Sequence, residues 1–143
     1  MHKLFFLLLI LSSSFSVFSQ EKVKWTFSYN SKLNQIELTA EIADGWHMYS
    51  QHLNNDIGPV PTSFAFNEVS KQQLKGEVIE PKPVQEYDPN FEANLDFFKH
   101  KVVFVQKLKK GTKGKIEGSV TYMVCNETMC LPPSDVTFSI EIK

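Results

Sequence analysis

The chain has 143 residues and sets 15 Lys and Arg against 16 Asp and Glu, a formal charge of −1. That balance leaves no electrostatic footprint for nucleic acid or an anionic membrane. The length suits one hydrophobic core and leaves no room for a second.

Lys3 is followed by an apolar run over residues 4–11, then by Ser12-Ser13-Ser14 and Val17-Phe18-Ser19. A short positive region, an apolar stretch too short to span a bilayer and small residues beyond it predict a signal peptide over residues 1–19, cut after Ser19. No Cys stands near the cut, so a lipoprotein signal is not expected. Residues 20–143 are then one domain of about 124 residues with no membrane span in the mature chain, periplasmic or secreted.

Beyond the cut the pattern is that of half-buried strands. Val23, Trp25, Phe27 and Tyr29 share a face, residues 30–34 supply a turn, and Ile36, Leu38, Ala40 and Ile42 alternate in a second strand, which predicts a hairpin. Asp44-Gly45 signals a turn, residues 46–50 begin a third strand, and residues 62–66 and 77–79 form short ones. Residues 81–94 carry Pro81, Pro83 and Pro89, which remove backbone donors, and predict a long surface loop. Residues 97–108 read as one strand, and the Lys- and Gly-rich residues 107–115 as a solvated hairpin tip. Ile116, Gly118, Val120, Tyr122 and Val124 alternate again, as do Val136, Phe138, Ile140 and Ile142. No stretch has a convincing helical period. About seven to nine short strands in one domain predict an all-β, immunoglobulin-like β-sandwich, with a closed barrel as the alternative.

Cys125 and Cys130 stand on a loop between the last two strands, with Leu131-Pro132-Pro133 behind them. Four intervening residues let the Cα atoms approach to disulfide distance without demanding it. Closing so short a loop gives only about 2 kcal/mol in the chain-entropy model, a weak reason for placing a staple there. A local pair opens and closes without dismantling a core, as a redox carrier requires. The prolines argue against a helix at the pair and so against a helix dipole lowering a thiolate pKa. Three readings stay open on the residues alone: a structural disulfide, a redox pair, or a metal site. The metal reading would recruit His47, His52 or His100, which show no ligand spacing.

The combination of Gly45-Trp46-His47-Met48-Tyr49-Ser50-Gln51, Gly58-Pro59-Val60-Pro61-Thr62, and Val120-Thr121-Tyr122 ahead of Cys125-x4-Cys130-Leu131-Pro132-Pro133 is more specific than any part. It resembles the N-terminal periplasmic domain of the thiol:disulfide interchange protein DsbD family, over residues 22–142. The resemblance implies an immunoglobulin-like sandwich whose cysteine pair, here Cys125 and Cys130, takes electrons from a thioredoxin-like donor and hands them to disulfide-containing periplasmic acceptor proteins. It implies no cofactor and no metal. Cys130 would exchange first and Cys125 would resolve the mixed disulfide. A cap loop with an aromatic residue over the disulfide maps to Asp88-Pro89-Asn90-Phe91, making Phe91 the cap and Asp88 the nearby acid. His47 and Tyr49 match aromatic positions beside the cysteines, while Trp46 and Tyr122 are expected in the core. The family's membrane-embedded and thioredoxin-like parts have no counterpart in these residues, so the implied donor is a separate chain. The competing reading is a noncatalytic secreted sandwich that binds a partner and is stapled by the same two cysteines.

Overall fold

Alternation along the sequence becomes alternation of burial. The computed structural model describes residues 21–53 and 58–143; the expected signal peptide lies outside them. In β1 (Val23–Asn30) and β2 (Gln35–Ile42) the residues pair antiparallel, Trp25 opposite Ala40 and Phe27 opposite Leu38. Ile36, Leu38, Ala40 and Ile42 are buried while the intervening side chains face outward, as a period of two dictates. The Asn30 side chain accepts from the Leu33 amide, and Asn34 takes the left-handed conformation (φ 48°) that Asn tolerates, which closes the predicted hairpin.

The chain continues through β3 (His47–Tyr49), β4 (Ser63–Phe66), the single-turn helix α1 (Glu68–Lys71), β5 (Leu74–Ile79), β6 (Val84–Asp88) and β7 (Ala93–Lys99). It ends with β8 (Lys101–Leu108), β9 (Gly114–Tyr122), β10 (Val124–Cys125) and β11 (Ser134–Ile142). Among the described residues three antiparallel sheets result, in the orders β1-β2-β8-β5, β10-β3-β7-β6 and β11-β9-β4. After Met123, β9 runs on into β10, so the second and third sheets form one layer against the first. Between the layers lie Leu38, Phe104 and Val102 of the first sheet, Met48, Phe98 and Val124 of the second, and Ile116, Val120 and Ile140 of the third. This is the expected all-β, immunoglobulin-like sandwich.

Three local expectations are corrected. Residues 81–94 are not a loop: β6 and the start of β7 pair there, Val84 opposite Phe97 and Asp88 opposite Ala93. Pro83 and Pro89 fall just outside β6, which is an edge strand, where absent donors cost no ladder bond. The expected strand over residues 97–108 is two strands. At His100 the backbone turns to φ 62° and the chain steps from the second sheet to the first. Residues 107–115 are not a hairpin tip either, because β8 and β9 lie in different sheets and the Lys/Gly segment carries the chain between them.

Candidate functional site

The second sheet has two buried faces. Met48, Phe98 and Val124 enter the main core, so the residues one step away, His47, Tyr49, Phe97 and Cys125, face the other side. There Tyr49, Leu95, Phe97 and Cys125 form a small second core, with Leu53, Phe91, Ala93, Met123 and Cys130 packed around it.

Cys125 and Cys130 are joined in a disulfide with Cα atoms 4.0 Å apart. They face each other across a tight hairpin, held on one side by the Leu131 amide donating to the Val124 carbonyl (2.9 Å) and on the other by the Asn126 amide donating to the Met129 carbonyl (2.9 Å). Cys125 is fully buried, being locked into the sheet opposite His47, whereas Cys130 is only partly covered and follows the exposed Met129. The turn is built by Asn126, whose side-chain oxygen accepts from the Thr128 and Met129 amides (2.9 and 2.8 Å).

Asp88 ends β6 with its carboxylate inside the protein, at 1% exposure. One oxygen accepts from the Tyr49 hydroxyl (2.5 Å) and lies 2.9 Å from His47 Nε2; the other accepts from the Asn90 amide (2.8 Å) and Asn90 Nδ2 (3.1 Å). Burial pushes this carboxyl up, yet the donors from Tyr49, His47 and Asn90 together outweigh burial and hold it below the ordinary aspartate value. Burial, then the hydrogen bond to Asp88 and its charge, push the Tyr49 phenol far above its ordinary value, so Tyr49 stays a donor. The His47 ring lies 4.3 Å from that of Phe97, centroid to centroid, and Phe91 stands edge-on to Tyr49 at 6.0 Å.

The arrangement brings together the six residues singled out in the sequence: Cys125, Cys130, Asp88, Phe91, His47 and Tyr49. Tyr122 is in the main core and Trp46 packs against it. His52 is exposed, and His100 is exposed beside Asp44 (3.4 Å). Among the described residues no His, Cys, Asp and Glu side chains group as a metal would require. A cleft of about 290 Å³ opens beside His47, with Tyr87 and Pro89 from the cap side and Glu127 from the cysteine hairpin in its wall. Sequence reasoning missed Asn90, Asn126, Phe97 and Leu95. Asn126-Glu127-Thr128 carries a readable sign, since Asn two residues before a Thr amide is an Asx-turn pattern. Asn90 carries none.

The family described as Thiol:disulfide interchange protein DsbD, N-terminal, matches residues 16–142. This chain belongs to that family. Its class of chemistry is thiol–disulfide interchange, and the cysteine pair that such chemistry needs is present as a disulfide. The fold is similar to that of the Neisseria meningitidis DsbD N-terminal domain in its reduced form, with a TM-score of 0.64 and 19% identity over 84% of this chain and 85% of that one. The Neisseria meningitidis DsbD and PilB N-terminal domains, solved as a complex, give 0.62 and 19% over 82% and 80%. The N-terminal periplasmic domain of ScsB from Proteus mirabilis gives 0.57 and 20%, over 83% of this chain and 45% of that one. No curated protein matches the sequence. Among the described residues no helix is long and apolar enough to cross a membrane.

Proposed function

We propose that this chain is an exported carrier of reducing equivalents, directed out of the cytoplasm by residues 1–19 and working in the periplasm or beyond the cell. A thioredoxin-like donor on a separate chain reduces Cys125–Cys130, and the resulting dithiol reduces disulfides of acceptor proteins. The observation that carries this reading is the asymmetry of the pair: one sulfur sealed in the sheet, the other at the rim of a hairpin.

Exchange needs a thiolate in line with a disulfide sulfur, and access decides which sulfur is attacked. The donor thiolate attacks Cys130 Sγ, the Cys125–Cys130 bond breaks, and Cys125 leaves as a thiolate that takes up a proton. The donor's second thiolate attacks the mixed disulfide, releases Cys130 as a thiol and leaves the donor oxidised, so two electrons and two protons have moved. Towards an acceptor the steps reverse: the Cys130 thiolate attacks and Cys125 resolves. Phe91 is the cap whose ring shields the pair from small thiols until a docking protein displaces it, and Asp88, His47 and Tyr49 hold the platform beneath it.

The test is a trap. Cys125→Ser keeps the attacking sulfur and removes the resolving one, so a covalent adduct through Cys130 is expected to accumulate with a thioredoxin-like protein and with exported disulfide proteins. Cys130→Ser is expected to trap far less. Equal trapping by the two variants would overturn the order of attack. No adduct from either, with a disulfide that resists reduced thioredoxin, would leave a structural staple.

A further inference from the structure

The turn that carries Phe91 and the hairpin that carries the disulfide are joined by one side chain. Asn90 Nδ2 donates to the carbonyl of Asn126 at 2.7 Å, and its other proton goes to Asp88. Both neighbours of this amide are acceptors only, so its orientation is forced. Asn126 is arranged to receive it. In a two-residue hairpin the Met129 amide would close the turn on the Asn126 carbonyl. Here that amide, with the Thr128 amide and hydroxyl, goes to the Asn126 side-chain oxygen instead (2.8, 2.9 and 3.1 Å), leaving the main-chain carbonyl free for Asn90. On its other side Asn90 is anchored through its own amide to the buried Asp88 carboxylate, and the next residue is Phe91.

We propose that Asn90 is a positioning residue for disulfide exchange: its side chain clasps the cap turn to the cysteine hairpin, and release of that clasp uncovers Cys130 to an attacking thiolate. The proposal rests on the exchange reading above and adds the element that holds the cap shut. The side-chain bonds of Asn90 go to Asp88 and Asn126 and not to a sulfur, and it acts through Phe91. Its effect therefore falls on access, not on the chemistry of the bond.

The measurement is the rate at which dithiothreitol reduces the oxidised chain, at fixed pH, for Asn90→Ala, Asn126→Ala, the double variant and Phe91→Ala. Asn90→Ala removes both bonds of Nδ2, of which only the one to Asn126 ties the cap turn to the hairpin; losing that one from the closed state is expected to raise the rate about three- to tenfold. In Asn126→Ala the Met129 amide loses its side-chain acceptor, turns to the main-chain carbonyl and competes there with Asn90, so the rate rises as well. The double variant is then no faster than the faster single one, because both changes break the same bond. A merely structural role would lower the melting temperature of each variant without this non-additivity. An Asn90→Ala rate within twofold of the parent, or effects that multiply in the double variant, would overturn the clasp. If Asn90→Ala does not fold, Asn126→Ala carries the same test from the other side of the bond. Acceleration in Phe91→Ala alone keeps the cap and removes the clasp. Acceleration in Asn90→Ala alone would overturn the action through Phe91 and remove that ring as the cap, and no acceleration in either removes both.

Discussion

At the scale of single residues, Asp88 is a buried carboxylate on which contacts from β3 and the turn after β6 converge. A buried carboxylate costs several kcal/mol unless its lone pairs are met, and here four donor contacts from Tyr49, His47 and Asn90 meet them. Those donors hold the folded carboxyl below its ordinary value near 3.9 against the opposing push of burial. A group depressed in this way contributes stability that is fully present above the unfolded value and is lost as pH falls through the lower folded value. Asp88→Asn is therefore expected to lower stability at neutral pH by about 2 kcal/mol, the order of a charged hydrogen bond lost from a buried site. The same variant should lose less on acidification than the parent does. Melting temperatures taken from pH 7 down to pH 2 check this: the two curves should converge at the acid end, and parallel curves would mean that Asp88 is not the titrating group.

At the scale of elements, the strands that alternate were legible and those that do not were hidden. In β1, β2, β9 and β11 every second side chain enters the main core, and the sequence shows it directly. In β6 the first four residues are all exposed, because an edge strand with solvent on both sides has no apolar face to display. Its flanking prolines then read as a loop. The cysteine loop was legible as a place but not as a hairpin, since the turn depends on which oxygen of Asn126 receives the Met129 amide. The cysteine pair was legible in the residues themselves, and Asp88, Phe91, His47 and Tyr49 were placed beside it by resemblance, whereas the bond from Asn90 to the cysteine hairpin spans thirty-six residues, which no local pattern records. One close approach belongs to this scale too. Gly118 of β9 lies where an added Cβ would meet Phe138 Cζ at 2.8 Å and collide with the Ala65 carbonyl oxygen, so the backbone of β4 would have to shift and the Phe138 ring turn aside. Gly118→Ala is expected to cost about 1–3 kcal/mol, read as a lower urea midpoint with an unchanged slope. An unchanged midpoint would show that the strands yield freely.

At the scale of the whole molecule, the second sheet itself separates the disulfide from the main core. The main core lies on one face, with Phe104 and Ile116 wholly enclosed, and the disulfide sits in the small cluster on the other. The bond closes a sequence separation of only five residues, so the chain-entropy model gives it about 2 kcal/mol, while deleting a buried Phe side chain costs about 3–5 kcal/mol. Cys125→Ser with Cys130→Ser, or full reduction, is thus expected to lower the melting temperature by roughly 5–10 °C and to leave one cooperative transition. Phe104→Ala should lower it further with the disulfide intact. A carrier must pass through its dithiol form on every cycle, so this ordering is a condition for the proposed function. A reduced chain with no melting transition would mean that the two cysteines hold the sandwich together, and the electron-carrying role would fail with it.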